Sequence, residues 1–158
     1  AMEYGERALG NRSILADPRD PGMKDKINAA VKYREAFRPF APSILAERQH
    51  DYFTIPRGGA APYMEKVFAI RPAKRKLIPA VTHNDGSGRL QTVTRAMNPL
   101  YYELIGEFYR RTGVPVVLNT SFNIKGEPIV CSPEDAIRTF WTSGLDVLVL
   151  GRYLITKG

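Results

Sequence analysis

Two short segments, far apart in the chain, carry the residue types that could hold a phosphorylated ligand. The first is Lys32-Tyr33-Arg34, followed by Arg38. It offers one compact ammonium and two planar guanidinium forks, which grip phosphate oxygens in different ways. The second is Asn119-Thr120-Ser121-Phe122-Asn123, directly after the apolar run Val114-Pro-Val-Val-Leu118. Small hydrogen-bonding side chains at the end of a buried strand are where an α/β sheet presents its ligands. Arg89, after the Gly-rich turn Asn84-Asp-Gly-Ser-Gly88, is a further cation at the start of a strand. The chemistry these residues suit is the holding of a phosphorylated ligand above a sheet.

Each motif also has a purely structural explanation. Lys32, Arg34 and Arg38 could be the basic end of a helix, favoured by its dipole. Asn119, Ser121 and Asn123 could be a polar turn that satisfies its own backbone. His83 beside Asp85 could be a functional polar pair or a hairpin-end hydrogen bond. No Gly-x-Ser-x-Gly elbow surrounds Ser121, so it is not a nucleophile of that type. No Walker loop and no Gly-x-Gly-x-x-Gly helix opening is present. His50, His83 and Cys131 lack metal-ligand spacing, so no resident metal is expected.

These residues need elements to position them. The spacing predicts a helix from about Met23 to Val31, ended before the proline-broken Phe37-Arg-Pro-Phe-Ala-Pro42. Strands are expected at Ser43–Leu45, at 64–70, and at 115–118. A hairpin is expected from Ala80–His83 and Arg89–Thr94. Asn98-Pro99 opens a helix to about Arg111, closed by Thr112-Gly113. Ile129-Val130 reads as a short strand. Ser132-Pro133 starts a last helix, with Ala136, Ile137, Phe140 and Trp141 directed inward. Val147–Leu150 and Tyr153–Ile155 close the chain as strands around Gly151. Residues 3–20 read as irregular. Residues 46–52 form a helical turn, and the basic run Arg71-Pro-Ala-Lys-Arg-Lys76 reads as an exposed turn. The fold class is therefore α/β or α+β, with one twisted mixed sheet flanked by helices.

Composition sets the outer bounds. A length of 158 residues fits one domain, 1–158, with a real core. The net charge of +7 suits anionic partners. No apolar run is long enough for a membrane span, and no secretory signal is visible. A single cysteine excludes an internal disulfide framework, and the expected location is the cytoplasm.

The segments Tyr4-Gly-Glu-Arg-Ala-Leu-Gly-Asn-Arg-Ser-Ile-Leu-Ala-Asp-Pro-Arg19, Val31-Lys-Tyr-Arg-Glu-Ala-Phe-Arg-Pro-Phe-Ala-Pro42, Pro79-Ala-Val-Thr-His-Asn-Asp-Gly86, Arg89-Leu-Gln-Thr-Val93 and Thr112 to Val130 carry a resemblance. Together they resemble the C-terminal, YrdC-like domain of O-carbamoyltransferases of the NodU and cephalosporin-carbamoylating type. The resemblance implies a YrdC-like sheet that makes carbamoyl adenylate from carbamoyl phosphate and ATP, with Mg²⁺ accompanying the nucleotide. It implies an N-terminal actin/Hsp70-like domain in the full-length protein, which passes the carbamoyl group to a hydroxyl acceptor. It assigns Lys32, Arg34, Arg38 and Arg89 to substrate phosphates. It places Ser121, Asn123, Asn119 and His83 near the nucleotide or the carbamoyl group. Two other readings stay open: a module that binds double-stranded RNA or nucleotide without catalysis, and a domain that serves its N-terminal half only as a structural partner.

Overall fold

The computed structural model describes Glu3, residues 7–33, Glu35 and residues 37–158. Arg34, one of the expected phosphate ligands, lies outside the described residues.

The centre of the fold is a strand that is apolar on both faces. β6 (Val116–Ser121) sends Val116 and Leu118 into one hydrophobic cluster and Val117 into another. Such a strand must be covered on both sides, as in a layered α/β fold. β6 lies between β1 (Ser13–Ala16) and β2 (Ala41–Leu45), antiparallel to both. β2 pairs in parallel with β5 (Ser87–Val93), and β5 is antiparallel to β4 (Lys66–Ile70). β3 (Phe53–Thr54) closes the edge, giving the order β1-β6-β2-β5-β4-β3. The sheet is mixed, as expected, and has six strands, but it is not the only one. β7 (Val147–Leu150) and β8 (Tyr153–Thr156) form a separate hairpin.

Helices cover both faces. α1 (Met23–Ile27) runs directly into a π-helical turn, Asn28–Lys32, and buries Ile27 against Ile44, Leu90 and Leu118. α4 (Pro99–Thr112) is capped by the Asn98 side chain, which accepts from the Tyr101 amide, and ends at Gly113 with φ +73°. Its Tyr101 and Ile105 pack on Val93 and Val117. α5 (Pro133–Trp141) begins with a complete capping box between Ser132 and Asp135. The short helices α2 (Gln49–Tyr52) and α3 (Pro72–Arg75) border the β3–β4 edge.

Several expectations need correction. Residues 80–83 are not a strand, because Pro79 starts a 3₁₀ turn over Pro79–Val81. β5 therefore has no hairpin partner there, and the 83–87 segment is a tight local turn with Gly86 at φ +80°. The stretch 3–20 is not wholly irregular, since β1 pairs with the polar end of β6. Asn119, Thr120 and Ser121 belong to β6 itself, where pairing with β1 extends a strand that hydrophobicity alone ends at Leu118. Ile129-Val130 forms no strand, although the Val130 amide donates to the Phe122 carbonyl. On α5 only Ala136 and Phe140 of the four expected residues are buried. Ile137 and Trp141 face outward.

Candidate active site

Where β6 ends, the chain walls a cavity of about 300 Å³. Among the described residues, five cationic side chains line it: Arg7, Lys32, Arg38, Arg89 and Lys125. Glu35 is the one carboxylate among the described lining residues. Such an excess of positive charge in a concave wall concentrates anions.

The π-helical turn puts Lys32 here. Its side chain enters a largely buried position, and the next residue, Tyr33, takes a left-handed conformation with φ +44°. Lys32 Nζ donates to the Ser121 carbonyl at 2.6 Å and to Asn123 Oδ1 at 2.8 Å. It also reaches the Asn123 carbonyl at 3.0 Å and Ser121 Oγ at 3.3 Å. An ammonium has three protons for these four oxygens. The two segments singled out in the sequence thus meet, and they meet by direct bonding. Lys32 orders the loop after β6 as well as charging the wall.

Asn123 is the hub of that loop. Its Oδ1 also accepts from Ser121 Oγ at 2.6 Å, and its Nδ2 donates to the Glu127 carbonyl at 2.8 Å. Ser121 and Asn123 both line the cavity. Arg89 enters from β5, beside the start of β2, and Arg38 from the proline-broken segment. Arg38 is more than half exposed and lies 3.9 Å from Glu35. Met64, also in the lining, is the second described non-glycine residue with positive φ, at +59°. Backbone held in such conformations, like a π-helical turn, concentrates at functional sites.

Asn119 also lines the cavity, and its side-chain amide is committed to the sheet. It is 1% exposed, and its Nδ2 donates to Gln91 Oε1 at 2.8 Å, the Ala8 carbonyl at 3.0 Å and Ser43 Oγ at 3.2 Å. Gln91 Nε2 in turn donates to the Leu9 carbonyl. This buried amide network ties the 7–10 segment to the sheet and so carries Arg7 to the cavity. Gly10, with φ +117°, packs flat against the Tyr101 ring, where a Cβ would come within 2.3 Å. The sequence singles out neither Arg7 nor Lys125 as a ligand. The motif Arg7-Ala-Leu-Gly-Asn-Arg-Ser13 was the available signal for Arg7, because its glycine marks a close backbone approach.

His83 is not among the residues that line the cavity. Its Nδ1 lies 3.1 Å from Ser87 Oγ, and the Asp85 carboxylate accepts from the Ser87 amide instead of from the imidazole. Burial holds the His83 pKa below its ordinary value, against the opposing pull of Asp85. The folded state therefore favours the neutral ring, while the unfolded chain binds the proton near pH 6.5. Stability from this residue is complete above that pH and falls as the pH drops through the folded value. Urea midpoints measured between pH 7.5 and 5 should decline less steeply for His83→Gln than for the unaltered chain.

Residues 1–157 match the family described as Carbamoyltransferase C-terminus. The chain belongs to that family. It is 56% identical over 156 residues to nodulation protein NolNO of Sinorhizobium fredii, covering 98% of this chain and 23% of that protein. It is 54% identical to nodulation protein NolO of Bradyrhizobium diazoefficiens, covering 98% and 28%. Nodulation protein U of Rhizobium tropici is 47% identical over 139 residues, 88% of this chain and 23% of that protein. This carbamoyltransferase C-terminal region thus spans about a quarter of the length of these curated relatives. Among the described residues, no helix is long and apolar enough to cross a membrane. No group of three or more His, Cys, Asp or Glu side chains among them is placed to hold a metal ion.

Proposed function

We propose that this carbamoyltransferase C-terminal region carries out the activation half of carbamoyl transfer, forming carbamoyl adenylate from carbamoyl phosphate and ATP. The observation that supports it best is the cavity with five cations against one carboxylate among its described lining residues. Both substrates are polyanions, and both must lie side by side. In the net reaction one water takes the phosphoryl group of carbamoyl phosphate away as inorganic phosphate. The freed carbamate oxygen then bonds to the α-phosphorus of ATP, and pyrophosphate leaves. No protein nucleophile is needed, because the carbamate oxygen itself attacks the α-phosphorus. Arg89 and Arg38 would offset charge on the phosphates, Lys125 and Arg7 would close the two rims, and Lys32 would fix the loop that presents Ser121 and Asn123. Magnesium fits as a companion of the nucleotide, held by phosphate oxygens, and would supply further charge neutralisation.

The reactive mixed anhydride would pass to a hydroxyl acceptor bound by the remaining polypeptide of the longer relatives, where water can be excluded. The region alone, given ATP, Mg²⁺ and carbamoyl phosphate, should release pyrophosphate slowly and carbamoylate no alcohol. Pyrophosphate formed at the same rate without carbamoyl phosphate would refute the proposed chemistry. Detection of a carbamoylated alcohol in the absence of other polypeptide would refute the division of labour. Binding that ignores carbamoyl phosphate and collapses with salt would favour an RNA-binding module instead.

A further inference from the structure

A second concavity, of about 500 Å³, lies at the opposite end of β6. The candidate active site uses residues 119–121 of that strand, whereas this groove is bounded by Gly113 and Pro115, just before it. Its base holds two phenols, Tyr52 from α2 and Tyr109 from α4. Tyr52 is 3% exposed, yet its hydroxyl makes no hydrogen bond to another described residue. The hydroxyl opens onto the groove, where it can donate to a ligand. Burial, with smaller contributions from Tyr109 and Asp51, raises the Tyr52 pKa, so the hydroxyl keeps its proton.

The charge above the phenols is unbalanced. Asp51, the carboxylate in the wall, is paired with Arg48 at 3.5 Å, and Arg48 also covers the Tyr109 ring at 5.3 Å. Arg71 and Lys74 have no carboxylate partner among the described residues. Arg71 Nε donates to the His50 carbonyl at 2.8 Å, which fixes the guanidinium and leaves its terminal amino groups uncommitted. Lys74 Nζ stands 4.9 Å from the Tyr52 ring centroid. The end of α4 adds a partial negative charge near Gly113, which two full cations outweigh.

We propose that this groove is a second anion site, separate from the cationic cavity, which binds a phosphate group between Arg71, Lys74 and the Tyr52 hydroxyl. Two uncompensated cations match a phosphate dianion in charge. A protonated phenol supplies the directional donor that a monovalent halide does not need. The site is independent of the adenylation reading, since it shares no lining residue with the first cavity.

The test is an amide-resolved NMR titration of the whole chain at fixed ionic strength, with inorganic phosphate in one arm and glycerol phosphate in another. Saturable shifts are expected at Asp51, Lys74 and Gly113. The arm with the tighter dissociation constant tells whether the free ion or a phosphate monoester is the better ligand. Tyr52→Phe keeps the ring and removes only the donor. It should weaken binding at these amides by about tenfold, on the scale of a hydrogen bond to a charged group, and leave shifts at Ser121 and Asn123 unchanged. Lys74→Gln, which leaves the phenol in place, should weaken the same site. Absence of saturable shifts at these three amides in either arm would overturn the proposal. So would equal shifts with chloride, or an unaltered constant in both variants when their spectra show a native fold.

Discussion

Replacing Lys32 with methionine should produce the largest loss of any single change in the candidate site. Methionine keeps much of the volume but removes the donor that the Ser121 and Asn123 oxygens share. Lys32 is 6% exposed, so water cannot fully replace it. Leaving such partners unsatisfied costs about 3 kcal/mol, the range for broken buried charge-assisted bonds. Part of that loss should appear as global stability in urea unfolding. The rest should appear as faster hydrogen exchange at residues 121–127 and loss of carbamoyl phosphate binding. Arginine should not rescue it, because a planar fork cannot converge on four oxygens as an ammonium does. An unaltered unfolding midpoint with normal exchange in the loop would contradict the bonding pattern described.

The second large effect belongs to Arg89. It is half-buried on a rigid strand, so its guanidinium is held in place before a ligand arrives. Arg89→Ala should weaken carbamoyl phosphate binding by about 2 kcal/mol, roughly thirtyfold. Arg38→Ala should cost less, because Arg38 is exposed, sits on an irregular segment and has Glu35 as a competitor. Isothermal titration of both variants checks the order. A larger loss at Arg38 than at Arg89 would mean that ligand binding draws Arg38 inward.

The order of these effects was not legible in the sequence, although the residues were. Lys32, Arg38, Arg89, Ser121 and Asn123 are separated by up to 91 positions in the chain yet line one cavity. Their types and their places beside a helix end and an apolar run were enough to suggest a shared site. What each side chain bonds to was not, because it depends on strand register. Asn119 shows this. It lines the cavity, yet its Nδ2 is committed to Ser43 and Gln91 and so also serves the sheet. His83 was singled out for its neighbour Asp85, but a turn directs its ring to Ser87.

The long helices were readable because their signals are local. Asn98-Pro99 with Gly113, and Ser132-Pro133, mark caps by chemistry that acts within a few residues. The strand errors came from partners far away in sequence. β1 is a strand only because β6 offers it hydrogen bonds, and 80–83 is not one because Pro79 tightens it into a turn. Ile137 and Trp141 obey helical spacing, yet α5 is only half covered by the β7–β8 hairpin.

The most direct test of the central claim is calorimetric titration of this region with carbamoyl phosphate and with ATP, each at two salt concentrations. The account predicts one molecule of each per chain at the cationic cavity, in a phase distinct from any binding at the Tyr52 groove. It also predicts that Arg89→Ala weakens the cavity phase for both ligands and that Tyr52→Phe leaves that phase unchanged. Saturable binding that survives Arg89→Ala unchanged, or no binding of carbamoyl phosphate to a folded chain, would contradict it.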